Sequence, residues 1–215
     1  MIVELTHPFL WRCKNPDFLL DRCNKFNSYC TRLEKQANAL NPEKKNETPE
    51  QKEARMQAVN KYKGDGFELF TEAMIRLFPC DKRLGLIENY KIVEGQDVGV
   101  DGSGVSGYNH KPITVQCKYR QFDCELTANR DHLTNFTSAS MMHFGVDQNP
   151  DPETGKLNMI IITSGSNINF FTDSEMFGHK VSSVCRDQIR QLVDNNDTFW
   201  KFFALSWKES LKKLR

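Results

Sequence analysis

The apolar positions along the chain change their spacing several times, and each change predicts a different structural element. In residues 19–40 they recur every three or four residues, which is the spacing of one face of an α-helix. Residues 41–53 contain charged and polar side chains and two prolines but no apolar residue, which indicates an exposed connection. Thr48 and Gln51 have the spacing of a capping box around a proline, so a second helix is expected to begin there.

The next apolar segments predict a helix followed by a strand. Gly64 and Gly66 are expected to break the chain, and residues 67–78 then have apolar side chains at helical spacing until Pro79. Glu68 and Glu72 lie one helical turn apart beside this apolar face, and Glu72 is expected to be a solvated surface charge. Residues 84–93 are apolar and punctuated at both ends, as in a strand.

A β-hairpin is predicted in the middle of the chain. Residues 97–102 are acidic and rich in glycine, and residues 113–118 alternate apolar and polar side chains after a Gly-rich turn. Gln116 and Lys118 are two residues apart and therefore point to the same face of a strand. Pairing of the two segments would bring Asp101 to the same strand edge.

The last third of the chain predicts the remainder of an α/β fold. The expected elements are a helix in residues 127–146, a central strand in the continuous apolar run 159–163, and a helix in residues 179–193. A final helix in residues 196–215 would have an aromatic face opposite several lysines.

Composition restricts the function less than the motifs do. The formal net charge of +1 gives no global basic signature, so nucleic-acid binding would depend on a local patch. The seven cysteines, an odd number without close pairs, favour reduced thiols in an intracellular setting. No apolar run has the length of a membrane span and no signal peptide is recognisable, so we expect no membrane partner.

The hairpin residues suggest a metal-dependent chemistry. A carboxylate from Asp101 and an amide oxygen from Gln116 are hard ligands of the kind that Mg²⁺ prefers. Lys118 would lie beside them, where its charge could face a phosphate. This combination is typical of a metal-dependent phosphodiesterase.

The order D-x-G-x-D-G followed by V-Q-C-K-Y-R resembles the catalytic hairpin of the PD-(D/E)XK nuclease superfamily, most closely its Mrr-like restriction endonuclease branch with Q-x-K. Gly64 to Glu68 matches the G-x-x-F-E segment of that branch, and the resemblance covers approximately residues 61–194. It implies an α/β fold with a restriction-endonuclease-like core, in which helices flank a mixed central β-sheet.

The resemblance also implies a role for each site residue. Asp101, Gln116, Glu68 and the backbone carbonyl of Cys117 would hold Mg²⁺, for which Mn²⁺ would substitute, and Asp97 is an alternative source of charge. Lys118 would orient or deprotonate the attacking water. The catalytic set is therefore Asp101, Gln116, Lys118 and Glu68, and the expected DNA-binding residues are Tyr119, Arg120 and Gln121.

We therefore expect three regions and a DNA endonuclease. The regions are an N-terminal helical extension (1–60), a nuclease core (61–195) and a C-terminal aromatic and basic helix (196–215). The function would be restriction-like or would process the genome of a virus or mobile element, with the chain acting alone, as a homodimer or as one module of a nuclease-helicase. Two alternatives remain open: a nuclease-fold DNA-binding or assembly module with weak or no activity, and a nuclease for junctions or RNA.

Overall fold

The backbone of this protein divides into two compact units. The computed structural model describes residues 1–93, 99–127, 133–147, 149–150, 158–169 and 181–213. One unit, the helical unit, contains Met1–Phe70 and Arg190–Arg215, and the other, the sheet unit, contains Thr71–Ile189. The predicted limits of a nuclease core at residues 61 and 195 stay a prediction, since backbone compactness does not test which residues act together.

Helices dominate the described chain outside the sheet. They are α1 (Phe9–Arg12), α2 (Pro16–Leu20), α3 (Phe26–Leu40), α4 (Pro49–Leu77), α5 (Leu133–Phe144), α6 (Arg186–Val193) and α7 (Asp197–Lys213), and a short 3₁₀ helix covers Lys82–Leu84. Within the described residues, every helix is too short or too polar to span a lipid bilayer.

The apolar stripe of residues 19–40 is divided between two helices rather than one. Arg32 donates to the carbonyl oxygens of Leu19 and Asp21 at 3.3 and 2.6 Å, and so satisfies backbone acceptors at the end of α2. At the start of α3, the backbone N–H of Phe26 donates to Asp194 Oδ1 at 2.8 Å. The spacing of apolar residues could not reveal this break, because partners distant in sequence stabilise it.

Aromatic side chains form the core of the helical unit, and the predicted aromatic face of α7 is confirmed. Phe203 is fully buried and packs against Phe70 and Tyr29, with ring centroids 6.1 Å apart in both pairs. Large rings bury much apolar surface for each residue ordered, so this cluster is a strong source of stability. Its members on α7 are Phe199, Trp200, Phe203 and Trp207.

The predicted start of α4 is confirmed, including its capping box. The N–H of Thr48 donates to Gln51 Oε1 at 3.1 Å, and the N–H of Gln51 donates to Thr48 Oγ1 at 3.3 Å. Pro49 occupies the first helical position, where its missing N–H costs nothing.

The predicted break at Gly64 and Gly66 is wrong, because α4 continues through both glycines. Gly66 is buried, and a Cβ atom added there would lie 2.5 Å from Leu33 Cδ1 and 3.2 Å from Phe9 Cζ. The hydroxyl of Tyr29 donates to the Gly66 carbonyl at 2.8 Å. Glycine is used here for close packing of helices rather than for a turn.

The sheet unit contains a five-stranded mixed sheet. Its strands are β1 (Ile87–Ile92), β2 (Gly102–Ser106), β3 (Pro112–Lys118), β5 (Met159–Thr163) and β7 (Ser182–Val184), in the order β1-β2-β3-β5-β7. Strand β2 pairs antiparallel with β1 and with β3, whereas β5 pairs parallel with β3 and with β7. Strands β4 (Glu125–Thr127) and β6 (Asn167–Asn169) form a separate parallel pair.

The outer strand β1 is irregular. Its register with β2 shifts between Glu88 and Lys91, both exposed, and Asn89 between them has a left-handed φ of 53°. The strand therefore contains a bulge, which bends it locally.

The central strand β5 is confirmed as the predicted apolar run, with all five residues buried. One side of the sheet is covered by α5, where Thr114 Oγ1 donates to Ser140 Oγ at 2.8 Å. The small side chain of Ser140 permits this close approach. The core on this side includes Leu133, Phe136, Met159 and Ile161.

Two elements after the hairpin differ from prediction. The helix expected in residues 127–146 is present as α5, which is shorter than predicted, and Thr127 is instead the last residue of β4; residues 128–132 lie outside the described part of the chain. The helix expected in residues 179–193 begins only at Arg186, because Ser182–Val184 pairs with β5 as strand β7. The apolar residues around Val184 are common to a buried strand and a helix face, so spacing alone did not distinguish them.

We predict that Gly64→Ala and Gly66→Ala have opposite effects on stability. Gly64 has no neighbour within 4 Å of an added Cβ, so alanine should raise the free energy of unfolding by about 0.5–1 kcal/mol. Gly66→Ala should lower it by about 1–2 kcal/mol, because overpacking against Leu33 and Phe9 exceeds the gain in helix propensity. Urea unfolding monitored by circular dichroism measures both, and an equal gain in the two variants would contradict this packing.

Candidate active site

The predicted hairpin is present, but its turn lies later in the chain than expected. The Gly-rich segment forms strand β2 itself, with Gly102 opposite Val115, and residues 107–111 form the turn. Ser106 N–H donates to the Lys111 carbonyl at 2.9 Å, which closes this turn. Asp101 therefore lies immediately before β2, next to the end of β3.

The carboxylate of Asp101 is bonded to the backbone of the Gln-Cys-Lys segment. The backbone N–H of Asp101 donates to the Val115 carbonyl at 2.9 Å, and Asp101 Oδ2 accepts from the N–H of Cys117 at 2.5 Å. The backbone carbonyl and N–H of a strand residue point to the same side. The carbonyl of Cys117 is thus directed to the side of β3 on which Asp101 lies.

Glycine is required immediately after Asp101. A Cβ atom on Gly102 would overlap the hydroxyl end of Tyr90, which is buried against this position. Arg76 Nη2 donates to the Tyr90 carbonyl at 2.8 Å and so connects α4 with β1 beside the hairpin. Gly102 therefore has a packing role that is separate from any chemistry of Asp101.

Gln116 combines burial with an unused acceptor. Its residue exposure is 1%, and its Oε1 atom has no hydrogen-bond partner among the described residues. A Cβ added to Gly99, which has a φ of +77°, would lie 3.3 Å from Gln116 Nε2, so the amide reaches the segment that precedes Asp101. A buried polar atom without a partner costs free energy, which makes a ligand for Oε1 physically favourable.

Lys118 lies at the carboxyl end of β3 and is half-buried. Its carbonyl accepts hydrogen bonds from Thr163 Oγ1 at 2.9 Å and from Ser164 N–H at 3.2 Å. None of the carboxylates in the described ranges forms an ion pair with its ammonium group. Since side chains alternate, Lys118 and Gln116 share one face of β3, as the sequence predicted.

Lys118 lies at the carboxyl edge of the parallel strands, two residues beyond Gln116. Lys118 is the last residue of β3 and lies opposite Thr163, the last residue of the neighbouring strand β5. In open α/β sheets this edge is the usual position of ligand sites. The segment beyond β3 contains the predicted DNA-binding residues, of which Tyr119 and Arg120 are half-buried and Gln121 is exposed.

Glu68 belongs to the helical unit, where its partner is His7. His7 is 3% exposed, its Nε2 lies 2.9 Å from Glu68 Oε2, and its Nδ1 accepts from the Phe9 N–H at 3.1 Å. Because Nδ1 accepts, the ring proton is on Nε2 and is donated to the carboxylate. Sequence reasoning missed His7, which is 61 positions away from Glu68 and belongs to no motif.

The expectation that Glu72 is a solvated charge is wrong. Glu72 is fully buried, and its Oε1 accepts from Arg76 Nε at 3.0 Å. The sequence pattern placed Glu72 outside the apolar face of the helix and so did not indicate burial. The helix is in fact buried on more than one face here, because Leu69 and Glu72 are both fully buried. Asp97, the alternative source of charge, lies outside the described residues.

The donor set at the hairpin fits a hard divalent cation. One carboxylate, an orphaned amide oxygen and a backbone carbonyl are ligands that Mg²⁺ accepts, and water or phosphate oxygens usually complete its shell. In the described ranges, no group of three or more His, Cys, Asp or Glu side chains could hold a metal ion. A cation here would therefore depend on the neutral oxygens of Gln116 and Cys117 as well as on Asp101.

The cysteines are all free thiols. Burial raises the pKa of Cys13, Cys23 and Cys185, so these side chains are neutral at physiological pH and are poor ligands for a metal. The expectation of unpaired cysteines is confirmed.

Comparison of the sequence with protein-family models and with curated proteins found no significant match.

We predict that Glu72→Gln destabilises the protein by about 3 kcal/mol, because it leaves the Arg76 guanidinium without its buried counter-charge. The matched control is Glu209→Gln, which removes one member of an exposed pair with Lys212 and should change stability by less than about 0.5 kcal/mol. Denaturant unfolding measures both variants. A loss below 1 kcal/mol for Glu72→Gln would mean that water replaces the lost charge.

Proposed function

We propose that this protein is a divalent-metal-dependent phosphodiesterase that cleaves DNA as an endonuclease of the PD-(D/E)XK type. The observation that carries the proposal is the hydrogen bond between the Asp101 carboxylate and the Cys117 N–H, which joins the acidic residue to the Gln-x-Lys strand. The mixed five-stranded sheet with flanking helices is compatible with a restriction-endonuclease-like core.

In this proposal Asp101, Gln116 Oε1 and the Cys117 carbonyl hold the metal ion. A bound Mg²⁺ would supply a Lewis acid that lowers the pKa of a coordinated water and stabilises charge on the phosphate. Gln116 supports this assignment because its buried oxygen lacks a partner among the described residues. Binding a cation would satisfy that oxygen.

Lys118 provides the positive charge of the site. Its side chain projects from the same face of β3 as Gln116, near the end of the strand. The ammonium group would orient the attacking water and reduce the negative charge that develops on the phosphate during cleavage. Glu68 stays a proposed contributor from the sequence motif alone.

DNA would be bound by the segment that follows β3. Arg120 can form bidentate contacts with a phosphate, and Tyr119 and Gln121 flank it. Because these contacts address the backbone, they would give little base specificity. With a formal net charge of +1, the electrostatic part of the affinity would depend on local cations, Arg120 and Lys118, and would fall as the salt concentration rises.

A DNA-binding module with weak or no activity is the second candidate. The neutral amide of Gln116, in place of a carboxylate, favours it, because each lost negative charge weakens the binding of a divalent cation. This candidate predicts that DNA binds without a metal ion and that no divalent ion produces cleavage.

We predict that Asp101→Asn abolishes cleavage while the fold is retained. The asparagine oxygen can still accept from the Cys117 N–H, but the charge that binds the metal is lost, so activity should fall on the order of a hundredfold or more. The assay uses plasmid, linear duplex, single-stranded, junction and RNA substrates with Mg²⁺, Mn²⁺ or EDTA.

The matched control is Asp147→Asn, since Asp147 is exposed and bonds locally to Asn149. This variant should cleave like the wild type. Equal cleavage by wild type and Asp101→Asn would indicate a contaminating nuclease, and absence of cleavage of every substrate would reject the catalytic proposal. Preference for RNA or junctions in the same assay would revise the substrate class.

We predict that Gln116→Glu makes stability dependent on metal. The added carboxylate would be buried, so the metal-free variant should be less stable than wild type. Mn²⁺ should bind about tenfold more tightly and raise its thermal midpoint more than that of wild type. Calorimetric titration and thermal unfolding without DNA measure these effects, and an unchanged response to Mn²⁺ would argue against metal binding by this oxygen.

A further inference from the structure

Two hydroxyl side chains at the end of β5 hold the backbone of the segment that follows the Gln-x-Lys motif. Ser164 Oγ accepts from the N–H of Arg120 at 2.7 Å and donates to the carbonyl of the same residue at 2.8 Å. Thr163 Oγ1 donates to the Lys118 carbonyl at 2.9 Å. Both Thr163 and Ser164 are fully buried.

These contacts continue the ladder between β3 and β5 beyond the last paired residues. The register of the two strands ends with Lys118 opposite Thr163. Beyond that point a backbone partner for Arg120 would normally be another residue of β5. Instead the Ser164 hydroxyl satisfies both its N–H and its carbonyl, so one side chain replaces a rung of the sheet.

The consequence is a fixed backbone direction at Arg120. A residue whose N–H and carbonyl are both bonded has little freedom in φ and ψ, so the root of its side chain is held in place. Arg120 Nη1 also donates to the Tyr119 carbonyl at 2.8 Å, which keeps the guanidinium close to this backbone. Ordering that precedes binding lowers the entropic cost of contacting a ligand.

We propose that Thr163 and Ser164 are positioning residues that orient Lys118 and Arg120 for the phosphate backbone of DNA. This inference rests on the proposed function. Ser164 acts on substrate binding through Arg120, whereas Thr163 acts on the cleavage step through Lys118. Neither hydroxyl contacts the substrate.

The two roles give different kinetic signatures. Ser164→Ala removes both hydrogen bonds to the Arg120 backbone, and it should raise KM for DNA about five- to tenfold with little change in kcat, because the contact of Arg120 with phosphate is weakened. The slope of log affinity against log salt should decrease by about one, because one phosphate contact is lost. Thr163→Val, which has nearly the same shape, should lower kcat and leave the salt slope unchanged.

Ser182→Ala is the matched control. The Ser182 hydroxyl donates to the Met159 carbonyl at 3.3 Å, at the opposite end of β5. The substitution therefore removes a hydrogen bond between a hydroxyl and a backbone carbonyl far from this edge of the sheet. It should leave KM, kcat and the salt slope unchanged. If Ser164 had only a structural role, Ser164→Ala would lower the thermal midpoint of unfolding without changing the salt slope of DNA affinity.

A double-mutant cycle tests whether Ser164 acts through Arg120. If it does, Ser164→Ala should change KM by less than twofold in the background of Arg120→Gln. Amide hydrogen exchange measured at Arg120 gives a readout independent of activity, and the rate should rise at this amide in Ser164→Ala and not in Ser182→Ala.

The outcomes separate this inference from the proposed function. Wild-type protein that neither binds nor cleaves DNA would reject both. An active wild type with additive effects of Ser164→Ala and Arg120→Gln, or with an unchanged salt slope in Ser164→Ala, would reject the positioning role alone. If Ser164→Ala does not fold, Thr163→Val decides, and an unchanged kcat for that variant overturns the inference.

Discussion

The candidate site depends on the hydrogen bond from the Cys117 N–H to the Asp101 carboxylate. Strand β2 begins only at Gly102, so the side chain of Asp101 occupies the place where another residue of β2 would pair with β3. A charged acceptor strengthens such a bond, and the bond determines where the carboxylate lies. The strand pairing therefore places the acidic group against the backbone of the Gln-Cys-Lys segment.

The sheet is closely packed around β3, the strand that carries the candidate ligands Gln116 and Cys117. Strand β5 is apolar on both faces and pairs with β3 over five residues, while the Thr114–Ser140 hydrogen bond joins α5 to the same strand. Close packing on both sides restricts side-chain motion. A cation site assembled there would require little rearrangement, which favours binding through only one carboxylate and two neutral oxygens.

The elements that local sequence specifies were predicted, and those that distant contacts specify were not. The capping box at Thr48, the strand at Met159–Thr163 and the hairpin each depend on neighbouring residues, and all three are present. The continuity of α4 through Gly66 depends on Leu33 and Phe9, which are distant in the sequence. Within the site, the sequence motif identified Asp101, Gln116 and Lys118 as candidate residues. The hydrogen bonds of Ser164 with Arg120 could not be predicted, because they form only when β3 and β5 are paired.

The bulge in β1 has a consequence for self-association. An open outer strand can template addition of another chain, and irregular backbone with exposed charges is a common defence against it. Glu88 and Lys91 flank the left-handed Asn89 on one margin of the sheet, and β7 on the other margin has only three residues. Within the described residues, neither border of the five-stranded sheet is therefore a good template for a continuous intermolecular sheet.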